Sequence, residues 1–296
     1  MDRLDAMQIF VRVAELGSFA AAAQQLGVAR SVVTRQIAAL EAHLGVKLMA
    51  RSTRRLTLTS GGTAYLEKCR VILNLVEAAE TDVAAERLTP RGNIHISLPL
   101  SFGLKRLAPL LLDFSQRYPE VSLDMDYSDR RVKLIEEGID LSIRITRRLD
   151  PGDVARKIGR SKMLVVAAPD YLDRHGRPLH PSELVHHECL GYTAGGLVQS
   201  WQFMINGSLE SFPVHSRIHA NNGEVLTEAA AQGLGITCPP DFISEQFLAD
   251  GRVEAILGDF PIPELGIYAM LPSNRHVPHR VRVLMDFLAD GLAEKP

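Results

Sequence analysis

The chain has 296 residues, of which 46% are hydrophobic and 23% are charged, as is typical of a globular protein with about two domains. No apolar run approaches the length of a membrane span and no secretory signal precedes the first helix, so we expect a cytoplasmic protein. The three cysteines, Cys69, Cys189 and Cys238, are far apart in sequence, which argues against a disulfide framework or a zinc site.

The net charge of −2 is unevenly distributed along the chain. Residues 1–60 contain eight basic and four acidic residues, a net charge of +4, and the remainder carries −6. A basic segment of this kind is what binding to DNA phosphates requires.

The N-terminal segment predicts three helices. Apolar residues repeat at helical spacing from Leu4 to Leu16, which predicts the first helix. Ser18, a preferred N-cap residue, begins the second, which ends at Gly27, and the third continues to Leu44. The second and third helices therefore predict a helix pair joined by a tight turn.

The third helix has an apolar stripe on one face and a polar face opposite it. The stripe consists of Val33, Ile37, Leu40 and Leu44. The polar face carries two hydroxyls, a guanidinium and a small residue, namely Ser31, Thr34, Arg35 and Ala38. Such a face is suited to a DNA major groove, whereas the alternative is an ordinary solvated helix face. We expect DNA contacts from Ser18, Arg30, Ser31, Thr34 and Arg35.

The stretch from Val46 to Thr59 alternates like a β-hairpin on both sides of a basic turn. Its arginines, Arg51, Arg54 and Arg55, are placed to reach phosphates or the minor groove beside the third helix. The alternative is a solvated basic turn.

Residues 60–88 contain no proline and predict one long helix. Its apolar residues follow an approximate heptad, which predicts pairing with a second chain: Leu66, Cys69, Leu73, Val76 and Val83. Residues 89–92 then break the helix and predict a hinge.

The remaining two thirds of the chain alternates strands and helices. Strands at 94–98, 121–127 and 141–145, with a short helix at Val132–Glu137 before the third, predict a parallel sheet. An apolar strand at 163–168 and a helix at 225–232 predict a second α/β lobe.

In open α/β folds, ligands bind where strands end and helices begin. The residues at these points are Ser101, Phe102, Ser128 and Arg144 in the first lobe and Tyr192, Thr193 and Asn222 in the second. We expect an anionic small molecule between Ser101 and Arg144. The alternative is that the polar residues are helix caps and that Arg144 forms a structural ion pair.

No motif for catalysis or cofactor binding is present in the chain. We therefore expect neither an enzyme nor a cofactor. The run His186-His187-Glu188-Cys189 favours a structural role over a metal site, because adjacent side chains point in different directions. Cys238 is expected to be a buried thiol and not a redox sensor.

Many of these residues stand where the LysR-type transcriptional regulator family has them, and the chain resembles that family along its whole length. The N-terminal matches include Gly17-Ser18-Phe19, Ala22-Ala23, Leu26-Gly27-Val28, Val33-Thr34-Arg35-Gln36-Ile37, Leu40-Glu41, Leu44-Gly45-Val46-Lys47-Leu48 and Leu58-Thr59. Later matches include Ser128-Asp129-Arg130, Glu136-Glu137-Gly138, residues 140–144 and Gly233-Leu234-Gly235-Ile236. Ala29 departs from the family's usual Ser or Thr cap, and Met49 replaces its usual Phe.

The resemblance implies a multidomain α/β protein with a winged helix-turn-helix at 1–59, a dimerising linker helix at 60–88 and a hinge at 89–92. The effector domain at 93–296 would resemble periplasmic solute-binding proteins, with one lobe at about 93–162 and 268–296 and the other at about 163–267. The implied partners are double-stranded DNA with an interrupted inverted repeat, a small-molecule effector, further copies in a homodimer or homotetramer, and RNA polymerase. The alternative is a small-molecule-binding or enzymatic α/β domain with an accessory DNA-binding segment.

Overall fold

The structure, a computed structural model, describes residues 2–51, 56–83, 89–193, 200–272 and 277–293. It divides into two compact units. The first contains the residues up to Thr89 together with two short segments from later in the chain, and the second contains the remainder. Within the described ranges no helix has the length and apolar character needed to cross a membrane.

The N-terminal unit consists of three helices, a hairpin and a long helix. Their bounds are α1 (Arg3–Leu16), α2 (Phe19–Gln25), α3 (Arg30–Leu44), β1 (Met49–Arg51), β2 (Leu56–Leu58) and α4 (Ser60–Val83). The left-handed residues Gly17 and Gly45 follow α1 and α3, a conformation that glycine adopts without strain. The predicted helices and hairpin are confirmed.

One apolar core holds this unit together. Phe10 of α1 and Val33 and Leu40 of α3 are fully buried in it, beside the buried Ala22 and Ala23 of α2. The apolar stripe predicted on α3 is therefore the face that packs, and the polar face is turned away from the core.

The first part of the apolar seam of α4 lies against the core of its own chain. Cys69 is fully buried in the core of its own chain, and Tyr65, Leu66 and Leu73 pack against that core next to α1. Part of the seam is thus covered within the chain itself, and pairing of α4 with a second chain stays a prediction. Val83 is described only in its backbone.

The second unit contains the remaining elements. The first part of it comprises β3 (Gly92–Leu98), α5 (Leu100–Phe102), a π-helical segment (Gly103–Leu107), α6 (Ala108–Arg117), β4 (Val121–Tyr127), β5 (Leu141–Thr146) and β6 (Val154–Ser161). The middle part comprises β7 (Val165–Ala167), α7 (Pro169–His175), a 3-10 helix (Pro181–His186), β8 (Glu188–Tyr192), β9 (Ser200–Ile205), β10 (Ser208–Pro213) and β11 (His215–Ala220). The last part comprises α8 (Gly223–Ala231), α9 (Asp241–Ala249), β12 (Glu254–Ile256), β13 (Leu265–Leu271) and α10 (His279–Ala293).

The first lobe of this unit is built on a five-stranded sheet in the order β4-β3-β5-β13-β6. β3 pairs in parallel with both β4 and β5, as predicted, but β13 is antiparallel to β5 and β6. The sheet is therefore mixed, because β13 returns to it from the second lobe. α6 and α10 contact each other through Phe114 and Phe287, whose rings are 5.4 Å apart.

The short helix predicted at Val132–Glu137 is wrong. Only turns occupy this stretch, although Glu137 donates its amide to the carbonyl of Lys133. The Glu137 carboxylate also accepts the Lys133 amide at 2.8 Å, so main chain and side chain of Glu137 both bond Lys133 across one turn.

The second lobe contains three two-stranded sheets. They pair β7 with β12, β8 with β11 and β9 with β10. Its core includes Tyr171, Cys189, Phe203 and Ile236. The predicted strand at 163–168 is shorter as β7, and the helix predicted at 225–232 is confirmed as α8.

Candidate functional site

The start of α3 is open to an anion. Ser18 caps α2, where its hydroxyl accepts a 3.3 Å hydrogen bond from the Ala21 amide. Ala29 precedes α3 and has no side-chain oxygen that could cap it in the same way. The first amides of a helix carry partial positive charge and bind phosphate groups. The uncapped end of α3 is thus suited to a DNA backbone.

The polar face of α3 is accessible over its whole length. Arg30, Ser31, Arg35 and Ala38 are exposed, and Thr34 is half-buried. The Thr34 hydroxyl donates to the Arg30 carbonyl at 3.0 Å, which leaves its oxygen lone pairs and its methyl group for a base edge. Of the eight residues predicted to contact DNA, Arg30, Ser31, Thr34 and Arg35 therefore share one face of α3, and Ser18 lies at the start of the preceding helix.

The hairpin β1–β2 pairs Met49 with Leu58 and Arg51 with Leu56. Arg54 and Arg55 lie outside the described residues, and so does the side chain of Arg51. Their predicted contacts with DNA stay a prediction.

Glu41 was missed as a functional residue by sequence reasoning. Glu41 is 7% exposed. One oxygen of its carboxylate accepts hydrogen bonds from the amides of Leu48 at 3.0 Å and Met49 at 3.2 Å. The other oxygen forms an ion pair with Lys47. The signal in the sequence is an acidic residue on the apolar face of α3, one position after Leu40. Glu41 thereby connects the predicted DNA-reading helix to the first strand of the hairpin.

The hydrogen bonds to Glu41 decide its charge state. Burial by itself raises the pKa of this carboxyl, but the side-chain bond from Lys47 and the amides of Met49 and Leu48 outweigh that effect. The pKa of Glu41 therefore lies below its ordinary value, and the group is ionised at neutral pH.

In the second unit, the sheet order brings the first-lobe site residues together. β3 lies between β4 and β5, so the residues that follow or end these strands are neighbours. Ser101 lies in α5 directly after β3, and Ser128 follows β4 with its amide donated to the Leu98 carbonyl. Arg144 lies in β5, half-buried and opposite Tyr268 of β13. Serine hydroxyls and a guanidinium at this edge have the chemistry to bind an anionic or polar ligand.

Asp129 occupies the junction between β3 and α5 and was not among the predicted site residues. Its carboxylate accepts a 3.0 Å hydrogen bond from the amide of Leu100, the first residue of α5. The sequence signal was an aspartate immediately beyond the end of β4. The junction already holds a carboxylate, supplied by the chain itself.

Phe102 is buried and is not part of an open surface. It is 3% exposed, and its ring meets that of Phe242 in α9 edge-on, with the ring centroids 5.0 Å apart. A ligand would contact Phe102 only after the two rings move apart. Phe102 therefore lies in the contact between the two lobes.

The second-lobe residues approach the same edge. Tyr192 ends β8 and is 41% exposed; burial raises its pKa, and the negative charge of Asp129 adds to the rise. This electrostatic interaction links Tyr192 of the second lobe with Asp129 of the first. Thr193 donates its amide to Ala220, and Asn222 caps α8 by accepting from the amides of Glu224 and Val225.

Two ion pairs also join the lobes. Lys105 and Arg106, adjacent in the π-helical segment, pair with Glu224 at the start of α8 and with Glu245 of α9. π-Helical turns occur frequently at functional sites. The segment that follows Ser101 and Phe102 therefore connects the first lobe directly to the second.

The three cysteines of the chain are all described by the structure. Cys69 and Cys189 are buried, Cys238 is half-buried, and none is in a disulfide. Burial raises the pKa of the Cys238 thiol to about 12, which opposes thiolate chemistry. Across the described part of the chain, no group of three His, Cys, Asp or Glu residues is placed to hold a metal ion.

Comparisons with known proteins match both units. A family model described as "LysR substrate binding domain" matches residues 88–293, and one described as "Bacterial regulatory helix-turn-helix protein, lysR family" matches residues 4–63. An HTH-type transcriptional regulator of Xanthomonas campestris is 36% identical over 288 residues, covering 96% of this chain and 84% of that protein.

Two solved structures of full-length proteins are similar as well. CrgA, a LysR-type transcriptional regulator from Neisseria meningitidis, has a TM-score of 0.62 at 34% identity, covering 98% of this chain and 99% of that one. AphB, a virulence activator of Vibrio cholerae, has a TM-score of 0.59 at 30% identity, covering 97% and 98%.

Proposed function

Because this chain belongs to the LysR family of DNA-binding transcriptional regulators, we propose that α3 and the β1–β2 hairpin contact promoter DNA and that an anionic effector modulates this binding. The family consists of regulators with an effector-binding domain, and its members are not enzymes. The alternative of an enzymatic domain is therefore dropped.

One observation carries the DNA part of the proposal. The exposed face of α3 presents Ser31, Thr34 and Arg35 on a helix whose opposite face is buried in the core. An arginine fork on a rigid helix can bond two acceptors of one guanine, and hydroxyls adapt to any base. Arg35 is the residue to which we assign base recognition.

The effector part rests on the edge of the sheet in the second unit. Ser101, Ser128 and Arg144 come from three neighbouring segments, and the Leu100 amide already binds a carboxylate, that of Asp129. An anionic ligand would take over the interaction now made by Asp129 and would gain the charge of Arg144. Displacement of Asp129 would also change its interaction with Tyr192 in the second lobe, which offers a route from binding to lobe movement.

We further propose how many copies of the regulator assemble on DNA and in which compartment they act. Two or four copies would bind an interrupted inverted repeat near a promoter, where they would contact RNA polymerase. A regulator of this kind acts on the chromosome, and for that reason we propose the cytoplasm as its compartment.

A thermal-shift screen of small acids, aromatic acids and amino acids tests the effector part. A ligand that binds the folded state raises the melting temperature of the full chain by mass action. We expect an anionic hit whose affinity falls in Arg144→Ala but not in Arg148→Ala, an exposed arginine two residues beyond the end of β5. Unchanged affinity in Arg144→Ala, or a screen in which only cations bind, contradicts the proposed site.

A further inference from the structure

The backbone of Leu48 lies where α3, the β1–β2 hairpin and α4 meet. On the amide side, the Glu41 carboxylate of α3 accepts from Leu48 at 3.0 Å. On the carbonyl side, Thr59, the residue before α4, donates its amide to the Leu48 oxygen at 3.0 Å. The Thr59 hydroxyl adds a 2.7 Å bond to the Lys47 carbonyl. One short segment before β1 is thus hydrogen-bonded to two helices at once.

The first turn of α4 packs directly against this segment. A Cβ atom on Gly62 would lie 1.9 Å from the carbonyl oxygen of Leu48, far closer than two such atoms can approach. The neighbouring Gly61 has ample space, since its Cβ would meet only the Thr59 hydroxyl at 3.8 Å. The glycine at position 62 therefore lets α4 start in contact with the backbone before β1.

The contact between Glu41 and Leu48 is shielded from water. Leu48 is 1% exposed and Glu41 is 7% exposed, so their hydrogen bonds do not exchange readily with solvent. The Thr59 hydroxyl also accepts the Gly62 amide at 2.9 Å and so caps α4 at the same point. Hydrogen bonds from both helices to one backbone segment, with a buried bond to α3, resist a change in the angle between the helices.

We propose that this junction, formed by Glu41, Leu48, Thr59 and Gly62, fixes the direction of α4 relative to α3, and that Gly62 is a positioning residue for DNA binding. In a dimer whose copies pair through α4, as its heptad spacing predicts, the direction of α4 sets the distance between the two α3 helices. Both half-sites of a repeat can be bound together only when that distance matches the DNA. The inference rests on the proposal that α3 contacts DNA.

The test compares Gly62→Ala with Gly61→Ala in the full-length chain. The DNA is the region upstream of the chain's own gene that the wild type protects, and the same region with one half-site scrambled. Gly62→Ala must move α4 away from Leu48, so its affinity for the intact region should fall about tenfold or more while its half-site affinity stays within about threefold. Gly61→Ala should match the wild type on both DNAs.

A merely structural role for Gly62 gives a different result. Loss of folded protein lowers binding to the intact region and to the half-site by the same factor, and that outcome overturns the inference. Wild-type behaviour of Gly62→Ala overturns it too. If the wild type itself shows no salt-sensitive DNA binding, the proposed DNA contact fails, and the inference fails with it.

A second variant covers the case in which Gly62→Ala does not fold. Thr59→Val removes the hydroxyl bonds to the Lys47 carbonyl, the Leu48 carbonyl and the Gly62 amide without increasing the number of heavy atoms in the side chain. Its control is Thr63→Val, whose exposed hydroxyl bonds only the Thr59 carbonyl. The same split between intact and half-site DNA is expected for Thr59→Val, with rescue in Thr59→Ser. Equal losses on both DNAs, or no difference from Thr63→Val, contradict the junction's role.

Discussion

The Asp129 carboxylate accepts a 3.0 Å hydrogen bond from the amide of Leu100, at the junction where β3 gives way to α5. The chain therefore places its own negative charge at the point where an anionic effector is proposed to bind. Such an effector must either displace Asp129 or bind beside a like charge, and both lower its affinity.

Asp129→Asn keeps the shape of the side chain and removes its charge. Because the repulsion disappears, the affinity for an anionic ligand found by thermal shift should rise about tenfold, equivalent to about 1.4 kcal/mol. Titration calorimetry measures this directly. Asp113→Asn, an exposed position of α6, is the control and should leave the affinity unchanged. Weaker binding in Asp129→Asn shows that the carboxylate helps to hold the ligand and contradicts the assignment.

Phe102 is expected to stabilise the contact between the lobes. Phe102→Ala removes a ring that is 3% exposed and packed edge-on against Phe242, so the free energy of unfolding should fall by about 3–5 kcal/mol. Leu104→Ala, two residues further in the same segment but 57% exposed, should change it by less than about 0.5 kcal/mol. Urea unfolding of both variants checks the difference. Equal effects would mean that the ring contact is not maintained in solution.

Glu41 should make the stability of the N-terminal unit depend on pH. Its folded-state pKa lies below the ordinary value of 4.5, because the bonds from Lys47, Met49 and Leu48 outweigh the effect of burial. The ionised carboxylate therefore stabilises the fold above the ordinary pKa, and this contribution is lost as the pH falls through the lowered pKa.

Glu41→Gln removes that contribution. At pH 7 the variant should be less stable than the wild type by about 1–3 kcal/mol, and the gap should narrow as the solution is acidified below pH 4.5. Glu15→Gln, which loses only surface ion pairs to Arg12 and Arg70, should cost less than about 1 kcal/mol. A gap between wild type and Glu41→Gln that stays constant with pH contradicts the lowered pKa.

The sequence predicted the elements whose residues pack locally. The stripe of Val33, Ile37 and Leu40 on α3 could be recognised in the sequence, because the apolar residues on the buried face of a helix repeat at a fixed spacing. The parallel strands β3, β4 and β5 could be recognised too, because apolar and polar residues alternate along each of them.

What the sequence could not predict depends on contacts between distant segments. The apolar residues of α4 have the same spacing whichever partner covers them. Their spacing therefore could not show that α1 covers the part around Cys69. Glu41 and Asp129 gain their roles from amides seven and 29 residues away, which no local pattern reveals. The stretch Val132–Glu137 forms turns and not the predicted helix, and the Glu137 carboxylate accepts the Lys133 amide within it.

Arg35 and Arg54 should affect DNA binding in different ways. Arg35→Ala removes a donor pair from the exposed face of α3 and should cost about 1–3 kcal/mol on the preferred site, with a much smaller loss on unrelated DNA. Arg54→Ala, a phosphate contact by sequence-based prediction, should weaken binding to all DNA and reduce the salt slope by about 1. Competition binding at several salt concentrations separates the two. Identical effects of both variants on preferred and unrelated DNA contradict the roles assigned to them.

The central claim, that the chain binds promoter DNA through α3 and the hairpin, is tested most directly by footprinting the full-length protein on the region upstream of its own gene. The account predicts protection of two half-sites that weakens steeply as the salt concentration rises, because each phosphate contact releases a counterion. The absence of salt-sensitive protection there and at every other promoter tested would contradict it.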